Sequence, residues 1–207
     1  LDLSGCRQIG DISFLKDCVE LISLDLSGCK EINDFSFLRH CKKLTRLDLS
    51  GCIQINSFSF LEHCKELTSL NFSNCEQIID VSFLKECKGL TSLDLSGCRA
   101  IDMSFLEHCE RLTSLNLSTC WQEDVSFLQH CKELTRLDLS KCWKIRDFSY
   151  LEHCKGLTRL DLASCGQIVD MGFLEHCKGL TRLDLASCFQ IKDVSFLEHC
   201  NGLTSLD

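Results

Sequence analysis

The sequence predicts an α/β solenoid: a right-handed parallel coil of about nine units of 22–23 residues, strands on the inner face and short helices outside. Three observations predict it. Cysteines recur at a near-fixed interval, each interval contains a leucine segment of period two, and each has a short segment, Ser-Phe-Leu in seven of the nine units, too brief for more than one or two helical turns.

The period comes first, because a missed repeat would misassign the whole fold. Cys6, Cys29, Cys52, Cys75, Cys98, Cys120, Cys142, Cys165 and Cys188 form one series; Cys18, Cys41, Cys64, Cys87, Cys109, Cys131, Cys154, Cys177 and Cys200 form the other. Steps are 23 residues, with two of 22 in each series. The unit reads LTxLDLSGCxQIxDxSFLEHCKG without a linker or a shift in composition, so residues 1–207 form one array and one domain. A chain of this length would carry roughly ten prolines; it has none, as expected if one proline-free segment was copied many times.

Within a unit, leucines alternate with polar residues, as at Leu93, Asp94 and Leu95, the pattern of a short strand with one face buried. Gly5, Gly28, Gly51 and Gly97 turn the chain away from the strand. An apolar residue such as Ile55 or Ile78 follows. Ser59 with Glu62, Ser104 with Glu107, Ser149 with Glu152 and Ser195 with Glu198 have the spacing of a capping box. Gly89, Gly156, Gly179 and Gly202 stand where a helix would stop in a left-handed C-cap. Phe60, Leu61 and Cys64 share a buried side. Each unit thus supplies about nine inward residues, at roughly 1.5–3 kcal/mol for each large side chain fully buried. No single unit can bury its own apolar face; a stack can.

LxxLxLxxC followed by a second Cys resembles the cysteine-containing leucine-rich repeats of F-box substrate receptors. QIxDxSFLxxCxxLTxLDLS is similar to the shorter repeats of internalins, with SFL where those often read SPL. The resemblance covers the whole chain and implies a leucine-rich repeat horseshoe, strands on its concave face, serving as a recognition surface. The repeat is shorter than usual for the cysteine-containing class, and no F-box segment is present.

The cysteines read as reduced structural thiols. Both columns are in phase with the apolar pattern, and the first holds a position where many leucine-rich repeats carry Asn bonded to the backbone. A buried thiol fills that space and donates weakly to a carbonyl. Nine in a column cannot all pair as disulfides, and no CxxC or Cys/His clip suggests zinc. His40, His63, His108, His130, His153, His176 and His199 read as exposed positions near a helix C-terminus, where partial positive charge is favoured. Asp147, Ser149, His153 and Cys154 look like material for a triad, but the set recurs along the array and an active site is needed once. No catalytic, cofactor or metal residue is therefore expected.

Partner information should lie where units differ. The middle strand column is almost all Asp or Asn, including Asp138, Asp161 and Asp184. Two residues earlier, on the same face, stand Arg136, Arg159 and Arg182, each within reach of an Asp. The strip is either neutralised at a solvated surface or orients a polar or acidic partner segment. Trp121 and Trp143 are the only tryptophans, in consecutive units beside Lys141 and Lys144, a hot-spot composition. Trp143 is expected at the surface. Trp121 is either a surface contact or a core filler, since its unit lacks the usual Ile.

The net charge of -8, from 22 basic and 30 acidic side chains, argues against nucleic acid as main partner. No apolar run suggests a membrane span. The expected function is a non-enzymatic module binding another protein or peptide. The alternatives are the substrate-recognition repeats of a ubiquitin-ligase adaptor, a structural or assembly element, and an engineered consensus array. Eighteen cysteines favour a reducing, cytoplasmic compartment over a secreted one, where sugars on Asn71 and Asn116 would obstruct the inner face. The array begins and stops within strands and has no polar terminal units, so a fragment lacking both caps is expected, with flanking domains or end-to-end association covering Leu3 and Leu203.

Overall fold

The computed structural model describes residues 1–55, 58–78, 80–99 and 101–207. Nine strands line up in chain order in one parallel sheet: β1 (Ser23–Asp25), β2 (Arg46–Asp48), β3 (Ser69–Asn71), β4 (Ser92–Asp94), β5 (Ser114–Asn116), β6 (Arg136–Asp138), β7 (Arg159–Asp161), β8 (Arg182–Asp184) and β9 (Ser205–Leu206). The first unit joins through an Asp2–Asp25 bridge. Register follows from the repeat: Leu24 pairs with Leu47, Leu47 with Leu70, Leu70 with Leu93, so every strand leucine stacks on its copy. Beside them the threonine hydroxyls form a second ladder, each Oγ1 donating to the carbonyl one unit back, as from Thr91 to Thr68 at 3.0 Å.

The turn after each strand has positive φ at Gly5, Gly28, Gly51 and Gly97, as the glycines predict. In five other units the same left-handed position holds Asn74, Thr119, Lys141, Ser164 and Ser187, at φ of 59–62°. A side chain there costs about 1–2 kcal/mol. The backbone hydrogen bond the turn makes to the next unit, such as Lys141 N–H to the Ala163 carbonyl at 2.7 Å, holds it in place.

The outer segments correct the sequence reading. They are 3-10 turns, five residues long except for the six of Met103–His108, and not α-helices. A turn closes when the second Cys donates its N–H to the Leu carbonyl three residues back, as from Cys41 to Leu38 at 3.0 Å. No capping box forms. Ser149 and Ser195 already lie inside the turn, and their N–H groups donate to Asp147 and Asp193 two residues earlier, each at 2.9 Å. Gly89, Gly156, Gly179 and Gly202 do not take left-handed φ either. Two of them are crowded against the unit before: a Cβ on Gly156 would stand 3.2 Å from the Leu134 carbonyl oxygen, and one on Gly202 3.1 Å from that of Leu180.

The core is one continuous column of residues the repeat predicts, containing leucines, most of both cysteine series, isoleucines and most of the Phe-Leu pairs. No polar or charged residue is buried among the described residues. Each first-series thiol from Cys29 to Cys188 donates to the carbonyl of the residue that follows the strand one unit back, as Cys75 to Leu49 at 3.1 Å and Cys98 to Phe72 at 3.3 Å. Leu3 and Leu203, expected to face solvent, are half-buried against the core. No helix is long and apolar enough to cross a membrane among the described residues.

Candidate partner-binding face

On each strand the leucine points into the core and its two neighbours point out, so residues of one column stand on one face in a row. Arg136, Arg159 and Arg182 pair in register, as do Asp138, Asp161 and Asp184. Together they line a groove of about 460 Å³ that begins at Ser92 and Asp94 on β4 and ends at Ser205 and Asp207.

The two rows do not neutralise each other. Among the described residues, none of these guanidinium groups lies within ion-pair distance of a carboxylate. The reason is local: each Asp is turned away along its own strand. Asp138 Oδ1 accepts the Ser140 N–H at 2.8 Å, Asp161 that of Ala163 at 3.0 Å, and Asp184 that of Ala186 at 2.8 Å. These bonds fix the carboxylates in the turn, and among the described residues none donates to the second oxygen of any of the three. Burial pushes the Asp161 carboxyl above its usual range; the Ala163 N–H opposes that, and the flanking charges of Asp138 and Asp184 reinforce it. Earlier in the array the same column is relieved by amides. Asn71 Nδ2 donates to Asp48 at 2.9 Å and Asn116 Nδ2 to Asp94 at 3.0 Å. The run from Asp138 to Asp184 has no such spacer.

The tryptophans lie in the turns that follow the strands. Trp121 is 48% exposed and Trp143 55%, so Trp121 is a surface residue and does not fill the core. Gln122 covers the place of the missing Ile: half-buried, it donates Nε2 to the Ile101 carbonyl at 2.9 Å. The Arg99 guanidinium stands 5.4 Å from the Trp121 ring, while Lys144 Nζ lies 5.9 Å from Trp121 and 5.7 Å from Trp143. Glu76 pairs with Arg99 at 2.9 Å and Glu123 with Lys144 at 3.0 Å. The edge is therefore a ladder of alternating cation and ring. Sequence reasoning paired the tryptophans with Lys141 and Lys144 but missed Arg99; reading down the single column after the first Cys, through Glu76, Arg99, Trp121 and Trp143, would have found it. Lys141 sits at the left-handed turn, exposed, one residue before the buried Cys142.

All cysteines are free, and most are buried. Burial pushes thiols such as Cys98, Cys131 and Cys154 up to about 12, so they stay protonated and inert. No group of His, Cys, Asp and Glu is arranged to hold a metal among the described residues. His153 and His176 stand at 3.5 and 3.2 Å from their neighbours Glu152 and Glu175. Asp147 and Ser149 are spent on the turn.

The chain matches the family model described as BspA type leucine rich repeat region, in six copies over residues 7–123 and 122–207. No curated protein matches it. Among solved structures it is similar to an internalin (inlF) from Listeria monocytogenes, at 23% identity and a TM-score of 0.74, over 96% of this chain and 64% of that one. A second internalin from the same organism, internalin C2, gives 23% identity and a TM-score of 0.68 over 99% of this chain and 78% of that one. The TLR13 chain of a TLR13–ssRNA13 complex gives 21% and 0.71, over 93% of this chain and 29% of that one. This chain thus spans less than two thirds of the internalin inlF and under a third of TLR13. These likenesses carry the fold: parallel strands and short turns in a leucine-rich repeat solenoid.

Proposed function

The chain belongs to the BspA-type leucine-rich repeat family, and from that premise we propose that it is a non-enzymatic module that binds a protein or peptide segment across the strand face of β6–β8, with the Trp121–Trp143 edge as a flanking contact. One observation carries this reading: three arginines and three aspartates in register, unpaired with one another, along one groove. Rows of like charge on adjacent strands cost stability in the free protein, and a ligand that pairs with them removes the cost. The RNA in the TLR13 complex belongs to that protein; here the excess of acidic side chains favours a protein partner. Eighteen free thiols support a reducing compartment for the module.

Selection from a displayed random-peptide library tests the reading. Enriched peptides should bind the protein and lose most of their affinity when Arg136, Arg159 and Arg182 are all changed to Ser. Serine fills that column in other units, as at Ser69, Ser92 and Ser114, so the variant keeps a native repeat sequence. No enrichment, or equal binding by the triple variant, would overturn it.

A further inference from the structure

The rows of opposite charge also specify the chemistry of the segment, and this inference rests on the strand-face reading above. We propose that the ligand of the β6–β8 groove is an extended strand of alternating acidic and basic residues, running along the axis of the array across the three strands. The Arg and Asp rows lie two residues apart along each strand, about 6.6 Å, and successive members of a row lie about 4.8 Å apart. A segment carrying one sign of charge pairs with one row and is repelled by the other at that short distance. An extended strand lying flat on the face sends alternate side chains to opposite sides, with same-side residues about 6.8 Å apart. Acidic residues then fall on the Arg side and basic residues on the Asp side. The Arg row spans about 9.6 Å over its three strands, room for two carboxylates about 6.8 Å apart.

Two further features support the match. The aspartates commit Oδ1 to the turn and keep Oδ2 for a cation, whereas in the earlier units an Asn amide already uses it, as at Asp48 and Asp94. Arginine occurs only in units whose second position is Asp, while both Asn units, at Asn71 and Asn116, carry Ser. The zwitterionic pairing is therefore kept unit by unit and is concentrated in three successive strands.

The test is fluorescence anisotropy with labelled peptides of about ten residues at about 20 mM salt, where screening is weak. The four peptides alternate glutamate and lysine, carry the same residues in two blocks, or are all glutamate or all lysine. The alternating peptide should bind about tenfold or more tightly than the other three. Its binding should be lost with Arg136→Ser/Arg159→Ser/Arg182→Ser and equally with Asp138→Asn/Asp161→Asn/Asp184→Asn, since both rows are used. Asn already occupies that column in two units, so the second variant also keeps a native pattern. Preference for all-glutamate, with binding strengthened by the Asp→Asn variant, overturns the alternating ligand and leaves the strand-face reading standing. Binding indifferent to both variants overturns both. Dimerisation seen by sedimentation and abolished by either variant makes the occupant a second copy of this chain, which overturns the inference as well.

Discussion

Raising the pH from neutrality is expected to unfold this protein cooperatively at about pH 10, because its core is built on thiols. Burial holds Cys52, Cys64, Cys98, Cys109, Cys120, Cys131, Cys142, Cys154 and Cys165 at about 12, and Cys75, Cys87 and Cys177 at about 11, against an ordinary value of 9.0. The folded chain keeps these protons above pH 9 while the unfolded chain releases them. The stability they contribute is therefore complete below about pH 9 and falls as pH rises toward the folded values. Once the unfolded thiols ionise, each removes about 1.4 kcal/mol per pH unit. A dozen of them remove on the order of 15 kcal/mol over the first unit, as much as the ~5–15 kcal/mol that holds a typical domain together. The assay is circular dichroism under argon with reductant, read beside thiolate absorbance. Both signals should change together in one steep step. A native spectrum persisting to about pH 11, with thiolate absorbance rising gradually from about pH 9, would mean that the thiols meet water and that the packed column is wrong.

Asn116→Asp should lower stability by about 1–2 kcal/mol at neutral pH, since it removes the amide donated to Asp94 and extends the carboxylate row to Asp138. Calorimetry should show a melting temperature lower by about 2–8 °C, recovered as the carboxyl protonates near pH 4; an unchanged melt at neutral pH means that the amide is no spacer. Trp143→Ala, at a side chain 55% exposed, should change stability by no more than about 0.5 kcal/mol. It should weaken a selected peptide by about 2 kcal/mol if the edge is an anchor; unchanged binding with a large drop in melting temperature makes Trp143 a structural residue. Iodoacetamide should modify exposed Cys18 and half-buried Cys6 in the native protein and the remaining thiols only in denaturant, with all eighteen reacting by mass. Sulfurs that resist alkylation in denaturant until reduced would contradict a reducing compartment.

Architecture, register and core were legible because each rests on spacing, and a spacing repeated nine times leaves a single consistent stack. Leu47 over Leu24 and the Cys52 thiol under a carbonyl follow from the 23-residue step. The outer turns were misread because Ser-x-x-Glu is a local signature, whereas turn length is set by how much chain remains between two cysteines already fixed in the core. Asp147, placed two residues ahead of Ser149, takes the Ser149 N–H that Glu152 would have accepted in a capping box. The tightness at Gly156 comes from Leu134 one unit away, a contact no local motif encodes. At the site, the sequence placed the Arg and Asp rows on one face but left open whether they neutralise each other or face a partner. What prevents it is the Asx turn at each Asp, which reads in the sequence only as part of the strand consensus. The fate of Trp121 turned on Gln122, a residue with no apolar signature, reaching back to Ile101.

The most direct test of the strand-face claim reads the guanidinium groups themselves. In a nitrogen-labelled sample, the Arg side-chain Nε–Hε resonances can be assigned by substitution and followed while a library-selected peptide is added. The predicted result is saturable shifts at Arg136, Arg159 and Arg182, with Arg7, Arg39 and Arg111 unmoved. Saturable binding that shifts Arg39 or Arg111 and leaves the three ladder arginines still would contradict the account.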